Sequence, residues 1–446
     1  MNRGAILALT LGCFAVVMSA TTVNVAITPI MRALDLSPHQ AQLLSSVFLG
    51  TTVVLAPLSA WLADRWGGMQ VFIAILLIYA LASGLCVLYS NSFALLLVVR
   101  VIQGCCAGVV QPLALFLLLE LTPLSHQGRS MSLFGFGVVL APALGPGIAG
   151  WLVDHAGWQY VLALGAPPAL LAVVLLRRAG KAGVTPQQPT IPRRLDLSGL
   201  VQLALLVAVF LLWPLVWEAS HGLGFLTVGG WVWLGHVFLR QQRKAGSLLP
   251  LELLQQPEFK RVALITMAYG AGMYGSIYLI PLWLQDGLAV SATMTGNLLL
   301  VGGVALALSI MLAGRLVDRF SAKPILMLGM ISFTLSCILF SLVGELAWIT
   351  LGIVLSRIGL GSIIPSLYPS IARSVDEADV RQAMAFTTLL RQGGGVIGVV
   401  VIGLLLSSLE SVPLGEARPT QLYAGLFLLF AMLFAGAAMV ARKLGN

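Results

Sequence analysis

Three arginines lie inside long apolar stretches of the sequence, where a charge requires compensation. They are Arg100, Arg357 and Arg391. Placing each near the middle of a membrane costs roughly 2.5–3.5 kcal/mol on insertion scales. Each could bind an acidic group or tune a proton carrier, and the alternative is a structural arginine bonded to helix carbonyls. Four buried amides could likewise donate into a cavity or bond across helices: Asn24, Gln103, Gln111 and Gln392.

Two of these arginines belong to an internal repeat. In each half a loop with the pattern Leu-x-Asp-Arg is followed, two apolar stretches later, by arginine, then glycine after 4 residues and proline after 12. The paired residues are Asp64 and Asp318, Arg65 and Arg319, Arg100 and Arg357, Gly104 and Gly361, and Pro112 and Pro369. Duplicated halves of parallel topology commonly enclose a binding site at their interface, so we expect one here.

Fourteen apolar stretches must position these residues. Each can cross a hydrocarbon core of about 30 Å at about 1.5 Å per helical residue. They span residues 5–29, 41–62, 71–90, 93–119, 130–152, 159–176, 198–217, 223–239, 262–284, 296–313, 325–343, 347–370, 383–409 and 421–441. With 59% hydrophobic and 9% charged residues, the composition excludes a water-soluble protein. Barrel strands would be about ten residues of alternating polarity, so the sequence predicts an all-α membrane protein with 14 transmembrane helices.

The basic residues give the predicted orientation. Of the 25 lysines and arginines, 20 fall on loops of one side, 2 on the other side, and 3 inside the stretches. The positive-inside rule makes the rich side cytoplasmic, so both termini are expected in the cytoplasm. Because these residues are spread over many short loops, the net charge of +9 reflects topology and predicts no nucleic-acid partner.

The acidic residues lie at or beyond the ends of the predicted helices, and none stands at mid-bilayer depth. A cavity with buried arginines and no buried carboxylate disfavours cationic ligands and favours neutral or anionic amphiphiles. Glu120, at the inner end of the helix that carries Arg100, is the nearest alternative protonation site. A solvated loop carboxylate is the simpler interpretation of that residue.

The fifth stretch contains the glycine- and proline-rich segment GVVLAPALGPGIAG at 137–150. Its small residues let another helix approach closely, while its prolines remove backbone donors and bend the helix. Such a helix can act as a seal or a rocking surface, and a generic membrane-helix kink is the alternative. The residues concerned are Pro142, Gly145, Pro146, Gly147 and Gly150.

Four motifs together resemble the major facilitator superfamily, and within it the fourteen-helix drug:proton antiporter branch. They are LADRWGG (62–68), LVVRVIQGCCAGVVQP (97–112), the fifth-helix segment and TTVNVAITP (21–29). The resemblance implies that Asp64 and Arg65 brace two helix bundles in the outward-facing state. It also implies that Arg100 takes part in proton coupling and that the fifth-helix motif marks an exporter.

The sequence departs from the branch at the first helix, where Ser19 stands at the position that commonly holds an aspartate. The inner-loop motif also begins with Ala60 and ends with Gly68 and Met69 instead of its usual basic pair. The resemblance therefore bears on the fold more directly than on proton coupling.

The resemblance implies a major facilitator fold in three parts. These are an N-terminal six-helix bundle (1–176), an inserted helix pair with basic cytoplasmic linkers (177–261) and a C-terminal six-helix bundle (262–446). It places the chain in the bacterial cytoplasmic (inner) membrane. The implied partners are lipid, protons and a small-molecule substrate, and periplasmic adaptor proteins could join them.

No catalytic or metal-binding signature accompanies these motifs. The five histidines lack the spacing of a helical zinc site, and no Gly-Lys-Ser/Thr phosphate loop occurs, so we expect no enzyme, metal or cofactor. The main hypothesis is a secondary active transporter that exports amphiphilic small molecules in exchange for protons by alternating access. One alternative is a dedicated exporter of an endogenous organic anion, such as a carboxylate metabolite or siderophore. Another, of a different class, is a non-transporting membrane sensor or scaffold.

Overall fold

The computed structural model describes residues 3–88, 91–122, 127–180, 196–242, 249–342, 345–376, 379–410 and 418–444, and within these ranges it contains helices and no strand. A 3₁₀ helix (Leu251–Gln255) precedes α11, and a π-helical turn (Trp283–Gly287) follows it. The α-helices are α1 (Arg3–Leu34), α2 (Pro38–Leu55), α3 (Leu58–Trp66), α4 (Gly68–Leu88), α5 (Phe93–Glu120), α6 (Gln127–His155), α7 (Gln159–Ala163), α8 (Ala166–Gly180), α9 (Leu197–Ala219), α10 (His221–Gln241), α11 (Pro257–Leu282), α12 (Ala292–Phe320), α13 (Ala322–Leu342), α14 (Leu346–Arg373), α15 (Val380–Glu410) and α16 (Arg418–Ala441).

The all-helical membrane fold predicted from the sequence is confirmed. Within the described ranges, 12 spans are long and apolar enough to cross a membrane, and the bent pair α2–α3 raises the number to 13. Helix α6 covers the fifth predicted stretch with 29 residues but does not enter that number. The count of fourteen transmembrane helices therefore stays a prediction.

The second predicted stretch, 41–62, is not one straight helix. Helix α2 ends at Leu55, α3 begins at Leu58, and their axes differ by 56°. Pro57 at the junction has no backbone N–H, and its ring clashes with the carbonyl of the preceding turn, so a regular helix cannot pass through it. The break turns α3, which carries Asp64 and Arg65, away from the axis of α2.

The helices form two packed groups. Helices α1, α2 and α4–α8 contact one another, as do α11–α16, while α9 and α10 pack together and α9 rests on α2. Gly50 allows the last contact, since a Cβ there would lie 2.7 Å from Val207. This packing follows the predicted order of two bundles around an inserted pair. The exact boundaries of the three parts stay a prediction, and the linker segments 181–195 and 243–248 lie outside the described residues.

The sequence repeat has a counterpart in the packing. A Cβ on Gly104 of α5 would lie 2.4 Å from the carbonyl oxygen of Phe48 on α2, and a Cβ on Gly361 of α14 would lie 2.9 Å from that of Leu306 on α12. In each half, the glycine that follows the buried arginine lets two helices pack backbone to backbone. The repeat thus fixes how each arginine-bearing helix docks within its half.

Candidate functional site

A cavity lies between the two groups of helices, and its open space together with the solvent at its mouth is about 510 Å³. Helices α1 and α6 supply one wall, and α11, α12 and α14 supply the other. Most of the lining is apolar, and its polar side chains are Thr21, Tyr269 and Arg357. The full lining is Thr21, Pro142, Pro146, Tyr269, Met273, Ile277, Leu299, Gly303, Leu306, Arg357 and Leu360. An apolar cavity with a few convergent polar groups suits an amphiphilic small molecule.

Arg357 is the one cationic residue in this lining, and its charge has little compensation. Its side chain is buried, and its one hydrogen bond among the described residues runs from Nη1 to the Ser276 hydroxyl at 3.4 Å. Among the residues that the structure describes, none that lines the cavity is acidic. A guanidinium has five N–H donors, so Arg357 retains donors for an anionic group of a ligand.

A second cavity of about 270 Å³ surrounds Arg391 in the C-terminal group. Its lining is Thr266, Ile364, Leu367, Tyr368, Ile371, Thr387, Thr388 and Arg391. Arg391 makes no hydrogen bond with another described side chain or backbone group. The adjacent glycines explain how α15 holds it there, because Gly394 and Gly398 press against the backbone of α11, where added Cβ atoms would meet carbonyl oxygens at 2.2 and 2.7 Å.

Arg100 lies in neither cavity. It is fully buried within the N-terminal group, where Nε donates to the Leu44 carbonyl at 2.6 Å and Nη1 donates to Ser19 Oγ at 3.1 Å and to Gln103 Oε1 at 3.0 Å. The guanidinium also stacks 4.3 Å from the centre of the Phe48 ring. Contacts with carbonyl, hydroxyl and ring groups thus compensate the charge of Arg100 in place of an acidic partner. This is the arrangement expected of a structural arginine.

Gln103 extends this arrangement across three helices. Its Nε2 donates to Ser83 Oγ on α4 at 2.9 Å and to the Leu162 carbonyl on α7 at 3.1 Å. Arg100 and Gln103 therefore tie α1, α2, α4, α5 and α7 together. Within the described residues, Arg100 Nη2 is a buried donor without a hydrogen-bond partner, which leaves one open position on an otherwise occupied guanidinium.

The fifth-helix motif packs against the opposite half of the molecule. A Cβ on Gly150 would lie 2.2 Å from the Ala292 carbonyl oxygen on α12, and a Cβ on Gly296 would lie 2.5 Å from that of Pro146 on α6. Gly147 is looser, because its Cβ would lie 3.5 Å from Leu300. Helices α6 and α12 therefore meet backbone to backbone. Two other motif residues line the cavity, Pro142 and Pro146, while Gly145 packs on α1 at Thr22.

We call this packing of α6 against α12 the seal. Polar contacts reinforce it at the predicted outer end. The Asp154 carboxylate on α6 accepts a hydrogen bond of 2.7 Å from the backbone N–H of Thr293 in the first turn of α12. Nearby, Gln285 Nε2 in the π-helical turn donates to the Val25 carbonyl at 2.9 Å. Sequence reasoning missed these residues, since an aspartate at a helix end and a glutamine in an apolar run carry no signal of a partner in the other half.

The inner-loop motif makes no comparable link in this conformation. The Arg65 guanidinium lies 5.5 Å from the Trp61 ring and 5.8 Å from the Trp66 ring, both on its own helix. No ion pair of Asp64 occurs within the described ranges. Arg319 stacks on its neighbour Phe320 at 5.3 Å, and the side chain of Asp318 lies outside the described part.

The remaining amide candidates line neither cavity. Asn24 is buried and accepts a hydrogen bond of 2.6 Å from Ser45, so it joins α1 to α2. Gln111 is half-buried on α5. Gln392 is buried on α15, where Oε1 has no hydrogen-bond partner among the described residues. At the end of α5, beyond the apolar span, partial burial raises the pKa of Glu120.

Comparison with known proteins gives a consistent picture. The sequence model of the Major Facilitator Superfamily matches residues 9–250 and 262–444. The multidrug transporter protein MdtP of Bacillus subtilis (strain 168) is 24% identical over 85% of this chain and 72% of its own length. The putative multidrug resistance protein MdtD of Salmonella heidelberg (strain SL476) is 23% identical over 98% and 93%.

Solved structures share the fold at low sequence identity. A bacterial homologue of the human lysosomal transporter Spinster, in an inward-facing and unoccupied conformation, superposes with a TM-score of 0.70 at 17% identity over 99% of this chain and 96% of its own. A mutant of the peptide transporter POT in complex with alafosfalin gives 0.72 at 14% identity over 99% and 96%.

Proposed function

The chain belongs to the major facilitator superfamily, and from that premise we propose that it exports amphiphilic small molecules in exchange for protons by alternating access. Family membership makes it an integral membrane transporter and not an enzyme. The finer proposal concerns direction, substrate and coupling. We place it in the bacterial inner membrane with both termini in the cytoplasm, following the distribution of its basic residues.

The observation that carries the proposal is a cavity between two helix groups that are tightly joined towards one end. From the level of the cavity, where Gly303 packs against Ala143, to the predicted outer end, where Thr293 contacts Asp154, α12 packs along α6. With the predicted orientation, this is an inward-facing conformation. Rocking the two groups about the cavity would separate α6 from α12 and open the cavity towards the outer side of the membrane.

The lining supports a neutral or anionic amphiphile as substrate. Leucine, isoleucine, methionine and proline side chains can cover an apolar body, and Arg357 can bind an acidic group. Export as the direction is supported by the fifth-helix motif and by the relatives that are named for multidrug transport. The same arginine disfavours cationic substrates, because it adds positive potential to a cavity whose lining has no acidic residue.

The proposed proton exchange has two candidate sites in the N-terminal group. The buried cluster of Arg100, Ser19 and Gln103 connects α1 with α5, so a change of its hydrogen bonds would be felt by the cavity wall that α1 forms. Glu120 is a second candidate, because its raised pKa favours the protonated form at the inner end of α5. A substitution of each residue separates the two possibilities.

Everted membrane vesicles with an acidic interior provide the test. We expect biphenyl-4-carboxylate, an aromatic monoanion, to accumulate inside vesicles that contain the protein and to release protons as it enters. Nigericin, which collapses the pH gradient, should reduce that accumulation. Accumulation that is the same in vesicles without the protein would overturn the proposal.

A dedicated exporter of an endogenous organic anion is the second candidate. It is favoured by the buried Arg357 and the half-buried Arg391, which have no acidic partner among the described residues that line their cavities. Comparison of culture supernatants with and without the protein would reveal one accumulated acid. A broad loss of tolerance to unrelated amphiphiles would instead favour the multidrug activity.

A further inference from the structure

We infer that Arg391 forms a second anion-binding site, and that together with Arg357 it makes a two-step path for the acidic group of the substrate. This inference rests on the proposed function and deepens it. It assigns the substrate a carboxylate or another oxyanion, and it gives a role to the smaller cavity.

The two cavities lie along the same faces of two helices. On α14, Arg357 and Leu360 line the larger cavity. Ile364 and Leu367 line the smaller one. These residues recur every three or four positions, which places them on one face of the helix. On α11, Thr266 and Tyr269 continue the path in the same way. From Arg357 to Ile371 at the inner end of the smaller cavity, α14 rises roughly 21 Å.

Tyr269 connects the two arginines. It lines the larger cavity with Arg357, and the next residue on α11, Gly270, packs against the backbone of Arg391. A phenol is a neutral partner for two guanidinium groups, so their charges remain unneutralised. Neither lining contributes an aspartate or glutamate. Two uncompensated cations within one membrane bundle are costly, and an anionic ligand would remove part of that cost at each step.

The threonine hydroxyl groups around Arg391 do not serve as its hydrogen-bond partners. Thr266 donates to the Val262 carbonyl at 2.8 Å, and Thr388 donates to that of Met384 at 3.0 Å, so each hydrogen bond stays within its own helix. Arg391 and the Tyr368 phenol are therefore the donors of the smaller cavity that remain for an oxyanion, and Arg391 is the charged one. Its guanidinium can bind a carboxylate through two parallel N–H···O bonds.

The position of the smaller cavity gives the order of the two steps. In the predicted orientation it lies nearer the cytoplasm than the larger cavity, since α14 runs inward from Leu346 to Arg373. An acid arriving from the cytoplasm would meet Arg391 first and Arg357 second. The apolar body would then occupy the larger cavity, whose outer side is closed by α6 and α12.

Equilibrium binding to purified protein in lipid nanodiscs tests this inference without any transport step. The probes are tritiated biphenyl-4-carboxylate and its neutral match, biphenyl-4-carboxamide. We expect the wild type to bind the acid about tenfold or more tightly than the amide, the effect of one charge-assisted hydrogen-bond pair. Because one carboxylate occupies one site at a time, Arg357→Met should keep part of the acid preference through Arg391, and adding Arg391→Met should weaken acid binding about tenfold further while amide binding is retained, which also reports correct folding.

Two further variants make the result decisive. Arg391→Lys should recover part of the acid preference, because it restores the charge without the planar fork. Arg373→Met, an exposed arginine on α14 outside both linings, should bind both probes like the wild type. In the Arg357→Met background, acid affinity that Arg391→Met leaves unchanged would overturn the inference, as would an Arg391→Lys protein that binds the amide normally but shows no acid preference. A protein that prefers the acid but moves neither probe nor protons would contradict the proposed function alone.

Discussion

Arg100 Nη1 lies 3.1 Å from Ser19 Oγ, and both side chains are buried between α1 and α5. Ser19 occupies the position at which the resembling branch commonly has an aspartate, yet here that position faces an arginine and does not line the central cavity. Ser19, at the position of the branch's first-helix aspartate, and Arg100, on the fourth predicted span, therefore belong to one site.

Ser19→Asp should create a buried ion pair with Arg100 and should not attract cationic substrates into the cavity. The new carboxylate would gain a charged partner within hydrogen-bonding distance, although desolvation of both groups offsets much of the gain. We expect the ratio of transport rates for a lipophilic cation and a lipophilic anion to stay within about twofold of wild type. A strong shift towards the cation would show that residue 19 reaches the cavity.

Arg100→Ala should destabilise the N-terminal group. It removes the donors to Leu44 and Gln103, and each buried acceptor left unpaired costs about 1–3 kcal/mol. Arg100→Lys should recover only part of this stability, because one ammonium cannot reproduce the three-way geometry of the guanidinium. Thermal unfolding in detergent measures the effect. Equal stability of the alanine and lysine variants would contradict it.

The sequence predicted the helical membrane fold, the repeat and the buried arginines, because apolar length, spacing and charge are local properties. It could not predict that the two repeat arginines have different surroundings. Arg100 is enclosed by carbonyl, hydroxyl and ring groups from two other helices, α1 and α2, whereas Arg357 borders the cavity with one weak hydrogen bond. That difference arises from contacts between residues that are more than fifty positions apart in the sequence. The local spacing of residue types does not reveal such contacts.

The sequence predicted the α6 side of the seal but not its partner. The small residues of the fifth helix indicated close packing, but their partner on α12 was not readable from sequence. The contact of Asp154 with Thr293 depends on how two halves of the molecule meet. Pro57 did carry a local signal, and it explains why the second predicted stretch is broken.

Gly150→Ala should weaken the seal between α6 and α12. Its new methyl group would lie 2.2 Å from the Ala292 carbonyl oxygen, so the helices would have to separate. Overpacking of about 1–3 kcal/mol would shift the conformational balance about 5- to 150-fold away from the sealed state. Gly147→Ala is the matched control, because its methyl group would make an ordinary contact at 3.5 Å. Distances between spin labels on the outer ends of α6 and α12 report the balance, and identical distributions in both variants would contradict the prediction.

Asp154→Asn should loosen the same end by a different route. The carboxylate interacts with the positive end of the α12 helix dipole through the Thr293 N–H, and an amide lacks that charge. We expect about a 2- to 5-fold shift away from the sealed state, with a smaller effect in high salt. The control is Asp35→Asn, an exposed aspartate at the predicted outer end of α1. An equal shift in the control would assign the effect to general surface charge.

Cysteine labelling tests the orientation. Cysteines at Gln188 and Arg243, both outside the described residues, should be protected from an impermeant thiol reagent added outside cells. A cysteine at Arg418 should react, because α16 begins at this residue on the predicted outer side. Labelling at Gln188 from outside would reverse the assignment and place the seal on the cytoplasmic side.

The most direct test of the account is flux in proteoliposomes that contain the purified wild type or Arg357→Met. A pH gradient is imposed across the membrane, and the movement of biphenyl-4-carboxylate and of protons is recorded together. We predict that the wild type moves the acid against its gradient with opposite proton movement, and that Arg357→Met moves it at least about tenfold more slowly. Acid movement that is independent of the pH gradient, or unchanged in Arg357→Met, would contradict proton-coupled export through this cavity.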